Sequence, residues 1–112
     1  MRTILFIDDS ESQRFLLQEE LSEEGYKVVT ASSNEEVLSK YREFCPDLII
    51  LELRQKKARE RSFEELKKQY PSIPLIGYST FVQCPEEFRQ CVQFYLPKSW
   101  EIDGLKGLIK CL

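Results

Sequence analysis

Residues 4–13 read Ile4-Leu5-Phe6-Ile7-Asp8-Asp9-Ser10-Glu11-Ser12-Gln13, and this stretch decides the fold. Four consecutive apolar residues suit a strand buried on both faces; a half-exposed strand would alternate apolar with polar. The run stops at two acids. Ser10, with Gln13 three positions later, is a helix-start signature in which the hydroxyl can accept from the Gln13 N–H. Phe15, Leu16, Leu17 and Leu21 follow at gaps close to the helical period, and Gly25 supplies a stop.

The alternation continues outward from there. Lys27 to Ala31 reads as a second strand. Ser33-Asn34-Glu35-Glu36 is a capping box that opens a helix with the stripe Val37, Leu38, Tyr41 and Phe44 or Cys45, stopped by Pro46. Leu48-Ile49-Ile50-Leu51 is a third strand and the most apolar stretch in the chain. Ser62-Phe63-Glu64-Glu65 is another capping box, opening a helix towards Tyr70. Pro71 and Pro74 lead into a fourth strand, Leu75 to Ser79. Pro85 suits the first turn of a short helix with Phe88, Cys91 and Val92. Phe94 to Leu96 is a fifth strand. A last helix from about Ile102 carries Leu105, Leu108, Ile109 and Leu112 on one side. Strands alternating with helices predict an α/β fold: a five-stranded parallel sheet with helices on both faces.

Composition narrows the class. The 112 residues, 42% apolar with seven Phe and five Tyr, suit one domain over 1–112 with one core. No apolar run is long enough to span a membrane, and the N-terminus lacks a signal-peptide cleavage pattern, so the expected location is cytoplasmic. Four cysteines with no C-x-x-C pair, and no histidine, argue against a zinc site and read as reduced thiols. The net charge of −3 argues against direct nucleic-acid binding. The basic run Arg54 to Arg61 reads as a solvated loop and first helical turn rather than a docking patch.

In open parallel sheets, sites form just beyond the carboxyl ends of the strands. The residues there are Asp8 and Asp9 after strand one, Glu52 after strand three, Ser79 and Thr80 after strand four, and Lys98 after strand five. Crowded acids need a cation, a proton or a basic side chain. Oxygen ligands of this kind suit Mg²⁺. A hydroxyl and a lysine opposite that ion suit the oxygens of a phosphoryl group.

This ordered set resembles the receiver domain of response regulators in two-component signalling, over nearly the whole chain. The resemblance implies a flavodoxin-like (βα)5 fold and a non-enzymatic signalling role in a phosphorelay. It implies a sensor histidine kinase or another signalling protein as partner, and self-association through the last strand and helix. Asp8, Asp9 and Glu52 then match the Mg²⁺ site, Ser79, Thr80 and Lys98 the phosphate contacts, and Tyr95 the switch residue.

The chain departs from that pattern at its centre. Glu52 stands where the family has its phosphoacceptor aspartate, and the extra methylene moves the carboxylate by roughly 1.5 Å. Ser99 replaces the proline expected after the lysine. Two readings of the acidic cluster stay open: a Mg²⁺ site, or a pocket neutralised by Lys98 or a basic side chain from Arg54 to Arg61. Two functions follow, a receiver that enters a phosphorelay and a phosphorylation-independent binding module that Glu52 locks in one state. A flavin or nucleotide site is disfavoured, because carboxylates rather than a glycine-rich loop follow the first strand. Trp100 is expected to pack on the last helix.

Overall fold

The computed structural model describes residues 2–33, 36–54, 59–89, 92–98 and 102–112, with only the backbone for 59–63 and 87. Strands β1 (Thr3–Ile7), β2 (Lys27–Ala31), β3 (Leu48–Leu51), β4 (Leu75–Ser79) and β5 (Phe94–Pro97) form one sheet in the order β2-β1-β3-β4-β5. Every pair is parallel, with Ile4 beside Val28 and Leu48, Ile50 beside Ile76, and Gly77 beside Tyr95. The helices are α1 (Glu11–Glu23), α2 (Val37–Phe44), α3 (Arg59–Gln69) and α4 (Asp103–Cys111).

The unbroken apolar runs follow from two-sided burial. Leu5, Ile7, Ile49, Leu51 and Leu75 pack on one face with Val37 of α2 and Leu66 of α3. Their neighbours Ile4, Phe6, Leu48, Ile50, Ile76 and Tyr78 pack on the other with Leu17 and Leu21 of α1 and Leu105 and Ile109 of α4. Successive strand residues point to opposite faces, so a strand covered on both must be apolar throughout.

Ser10 caps α1, its Oγ accepting from the Gln13 N–H at 3.4 Å. Gly25 ends the turn after α1 at φ +94°, and Cys45 closes α2 in the left-handed conformation at φ 46°, just before Pro46.

Not every expectation holds. Leu17 and Leu21 are buried, but Phe15 is 63% and Leu16 47% exposed. They lie ~200° and ~100° round the helix from Leu17, off the stripe that faces the sheet. The Glu36 carboxylate accepts from Ser32 Oγ at 3.1 Å, and α2 starts at Val37 with no side-chain cap from Glu36; the middle of the Ser33–Glu36 pattern lies outside the described residues. Helix α3 starts at Arg59, so Ser62 lies inside it; Arg and Glu are good helix formers and extend it upstream. Between β4 and β5 the short helix expected after Pro85 is, among the described residues, the 3₁₀ turn Glu86–Phe88 with Pro85 as its N-cap. Asn34, Glu35, residues 55–58, Cys91, Ser99 and Trp100 lie outside the described residues. No helix among the described residues is long and apolar enough to cross a membrane.

Candidate functional site

Strand β1 lies between β2 and β3, so the chain leaves it in opposite directions for its two neighbours. The crevice at such a switch in strand order is where this architecture places ligands. The ladders carry the flanking residues to that rim. The Glu52 N–H donates to Ile7 O at 2.9 Å, the Asp8 N–H to Ala31 O at 3.1 Å, and the Lys98 N–H to Ser79 O at 2.6 Å. Asp8, Glu52 and Lys98 are thus fixed by backbone before their side chains meet.

The side chains converge in a buried pocket. Asp8, Glu52 and Ser79 are 1%, 5% and 0% exposed. Lys98 Nζ stands 3.0 Å from Asp8 Oδ2 and 2.5 Å from Glu52 Oε2. Asp8 Oδ1 accepts from the Ser10 N–H at 2.9 Å. Glu52 Oε1 accepts from Ser79 Oγ at 2.5 Å and from the Arg54 N–H at 2.9 Å. Two buried carboxylates and one ammonium satisfy one another; with either charge alone the pocket would be costly. The Tyr78 ring, with its centroid 5.6 Å from Lys98 Nζ, offers the ammonium an aromatic face.

Burial pushes the Asp8 carboxyl above its ordinary value, against the pull of the Ser10 N–H and of Lys98. Burial alone would lower Lys98, but its contacts with Glu52 and Asp8 outweigh it and hold the amine above its ordinary value. Tyr95 is also raised, chiefly by burial.

Of the residues predicted to share a site, Asp8, Glu52, Ser79 and Lys98 touch. Asp9 is exposed at the mouth. Among the described residues no group of three His, Cys, Asp or Glu is placed to hold a metal ion. Thr80 is exposed and its Oγ1 accepts from Arg54 Nη1 at 2.6 Å. Tyr95 stands one step away, its hydroxyl donating to Phe81 O at 2.5 Å and to Ser79 O at 3.3 Å. Among the described residues Lys98 is the cation that meets both carboxylates. Arg54 contributes its backbone N–H, while its guanidinium turns to Thr80. Phe81 was not legible as a site residue, since it follows a strand as any loop aromatic could; Arg54 stood only as one of a run of basic candidates, and its contact with Thr80 was not legible.

Comparison with known proteins points one way. The sequence matches the response regulator receiver domain family over residues 4–110. The response regulator protein TrrA of Thermotoga maritima, solved in complex with Mg²⁺-BeF, is 31% identical, with a TM-score of 0.90 over 99% of this chain and 98% of that one. In its complex with histidine kinase ThkA, TrrA matches at a TM-score of 0.87 and 31% identity, over 99% and 97% of the two chains. The alkaline phosphatase synthesis transcriptional regulatory protein PhoP of Bacillus subtilis is 48% identical over 52 residues, 46% of this chain and 22% of that protein. The chain spans between 20% and 30% of the length of the curated relatives it matches.

Proposed function

The chain belongs to the response regulator receiver domain family, and from that premise we propose that it serves, as one domain over 1–112, as the receiver of a two-component phosphorelay. A sensor histidine kinase would supply the signal. The observation that carries this is the convergence of Asp8, Glu52, Ser79 and Lys98 from the ends of β1, β3, β4 and β5. In this reading Glu52 occupies the acceptor position and Lys98 and Ser79 hold the oxygens that develop charge. Thr80 borders the same site, and Tyr95 carries its state to the edge strand.

Mg²⁺ fits the donor set. Asp8 Oδ2 and Glu52 Oε2 already converge on a single ammonium, and Mg²⁺ commonly takes one or two protein carboxylates and fills the rest with water. Asp8 and Glu52 would hold it, with Asp9 at the mouth, and the ion would neutralise phosphoryl charge. TrrA, the similar protein of Thermotoga maritima, was solved with Mg²⁺-BeF, which supports the assignment.

The test is incubation with acetyl phosphate, or with beryllofluoride, each with Mg²⁺. A mass gain of one phosphoryl group, or a change in Trp100 fluorescence on adding beryllofluoride, is the expected result. Silence in both experiments would leave the phosphorelay reading without chemistry.

A second reading has its own observation. Both Glu52 oxygens are engaged, Oε1 by Ser79 and the Arg54 N–H, Oε2 by Lys98. A carboxylate so bound makes a poor nucleophile and a good fixed anion. In this reading the chain is a phosphorylation-independent binding module that Glu52 holds in one state. Glu52→Asp shortens the side chain by one methylene, and it should confer phosphorylation or alter partner affinity at least several-fold. A variant indistinguishable from the parent in both respects excludes the lock. A second copy of the chain could pair through β5 and α4, where Phe94 is 39% exposed on the edge strand.

A further inference from the structure

The loops after β3 and β4 and the edge strand β5 meet beside the pocket, and Arg54 joins them. Its backbone N–H donates to Glu52 Oε1 at 2.9 Å, while its guanidinium reaches to the next loop. There Nη1 donates to Thr80 Oγ1 at 2.6 Å, and Cζ lies 5.6 Å from the Phe81 ring centroid, within cation–π range. The Phe81 carbonyl in turn accepts from the Tyr95 hydroxyl at 2.5 Å. Among the described residues Arg54 makes no ion pair, although Glu52 is two positions away. Its charge is aimed at a hydroxyl and a ring.

A surface arginine in this position adds little to global stability, since exposed contacts of this kind are individually weak. Its effect falls on the loop it grips. The guanidinium is planar, so it can donate in its plane and stack through its face at once; an ammonium cannot. The grip fixes the backbone of Thr80 and Phe81, and that backbone presents the carbonyl that Tyr95 needs.

We infer that Arg54 is a positioning residue: it latches the Thr80–Phe81 segment and so holds the Tyr95 ring in its hydrogen-bonded place. The state of Tyr95 then depends on the loop after β3 as well as on the contact between Ser79 and Glu52. The inference deepens the receiver reading, in which Tyr95 relays the state of the pocket, but the latch itself needs neither phosphoryl group nor metal.

The test uses the full chain labelled with 3-fluorotyrosine, with the Tyr95 fluorine signal assigned through Tyr95→Phe. In Arg54→Ala the Tyr95 signal should move towards that of a free, solvated ring, with roughly a tenfold fall in the ratio of held to free. The signals of Tyr26, Tyr41, Tyr70 and Tyr78 should stay in place. Arg54→Lys keeps the charge but loses the planar contact, and should restore the signal only in part. Phe81→Leu keeps the carbonyl and removes the ring, and should shift the signal the same way. The double variant Arg54→Ala/Phe81→Leu should go no further than the larger single change, as expected for two halves of one contact.

A Tyr95 signal unmoved in Arg54→Ala, with the other tyrosines unperturbed, overturns the latch; so does full restoration by lysine. If Arg54→Ala fails to fold, Thr80→Val and Phe81→Leu carry the same test. Lack of any response to Mg²⁺ and beryllofluoride would count against the receiver reading without moving these comparisons, so the two failures are distinguishable.

Discussion

The rim between β1 and β3 and the segment from Thr80 to Gln93 are both built from residues that follow strands, yet they are held differently. At the rim, backbone hydrogen bonds from Asp8, Glu52 and Lys98 extend the ladders by a residue and bring an ammonium to two buried carboxylates. Beyond β4, among the described residues, a 3₁₀ turn stands where the other crossovers have α-helices. There Phe81 is 39%, Val82 86% and Phe94 39% exposed, with Phe88 and Val92 as the inward anchors. The pocket is fixed from several directions at once. The loop beside it has short-range backbone bonds such as Phe88 N–H to Pro85 O and Val92 N–H to Phe88 O, with an exposed tip tied by a few side-chain contacts, and local openings occur most readily in regions of that kind.

The sharpest way to break the pocket is to remove its cation. Lys98→Met leaves Asp8 and Glu52 buried without their partner, and it should cost about 3–5 kcal/mol at neutral pH, read by urea unfolding. The deficit should shrink as the solution is acidified, because the stranded Asp8 carboxyl, already raised by burial, can then take up a proton. A deficit independent of pH would mean that packing, not charge, is what Lys98 supplies.

The parent chain carries the opposite signature at high pH. The amine of Lys98 is held above its ordinary value of 10.5 by Glu52 and Asp8. Its contribution is complete below the unfolded value and is lost as pH rises through the higher folded one. Asp8 runs the same way in a lower range: its carboxyl is raised above 3.8, mainly by burial, so its contribution is complete below the unfolded value and is lost as pH rises through the higher folded one.

A change between the two regions should have an intermediate effect. A Cβ on Gly77 would meet Leu53 Cδ1 and Tyr95 Cδ1, each at 3.0 Å. Leu53 is buried, and Tyr95 is held through its hydroxyl, so neither retreats freely. Gly77→Ala should therefore cost about 1–3 kcal/mol by overpacking, measured as a shift in the urea midpoint. The smallest effect belongs to the loop. Val82 is 86% exposed, and Val82→Ser should change stability by less than about 0.5 kcal/mol. A larger loss would show that this segment is more tightly tied than its exposure suggests.

Much of this was legible in the sequence, and the successes share a cause. Each central strand is covered on both faces, so Leu48–Leu51 and Leu75–Ser79 stand out as apolar runs with clear ends. The pocket residues follow those ends directly, which is why Asp8, Glu52, Ser79 and Lys98 could be named from order alone. The misses also share a cause. The Ser62 capping pattern is short and common, and neighbouring helix formers displaced it. Phe15 and Leu16 are apolar, but nothing in composition says which side of α1 meets the sheet.

The chain by itself determined the order of its elements, the two-sided burial of its sheet, and the set of charged and hydroxyl residues that end its strands. Those are local properties of periodicity and punctuation. Only the tertiary structure decided that, among the described residues, Lys98 answers the buried acids, that Asp9 stays exposed, and that Arg54 turns to Thr80 and Phe81. Which charge meets which depends on distances and burial between segments far apart in sequence, and a one-dimensional pattern does not carry those.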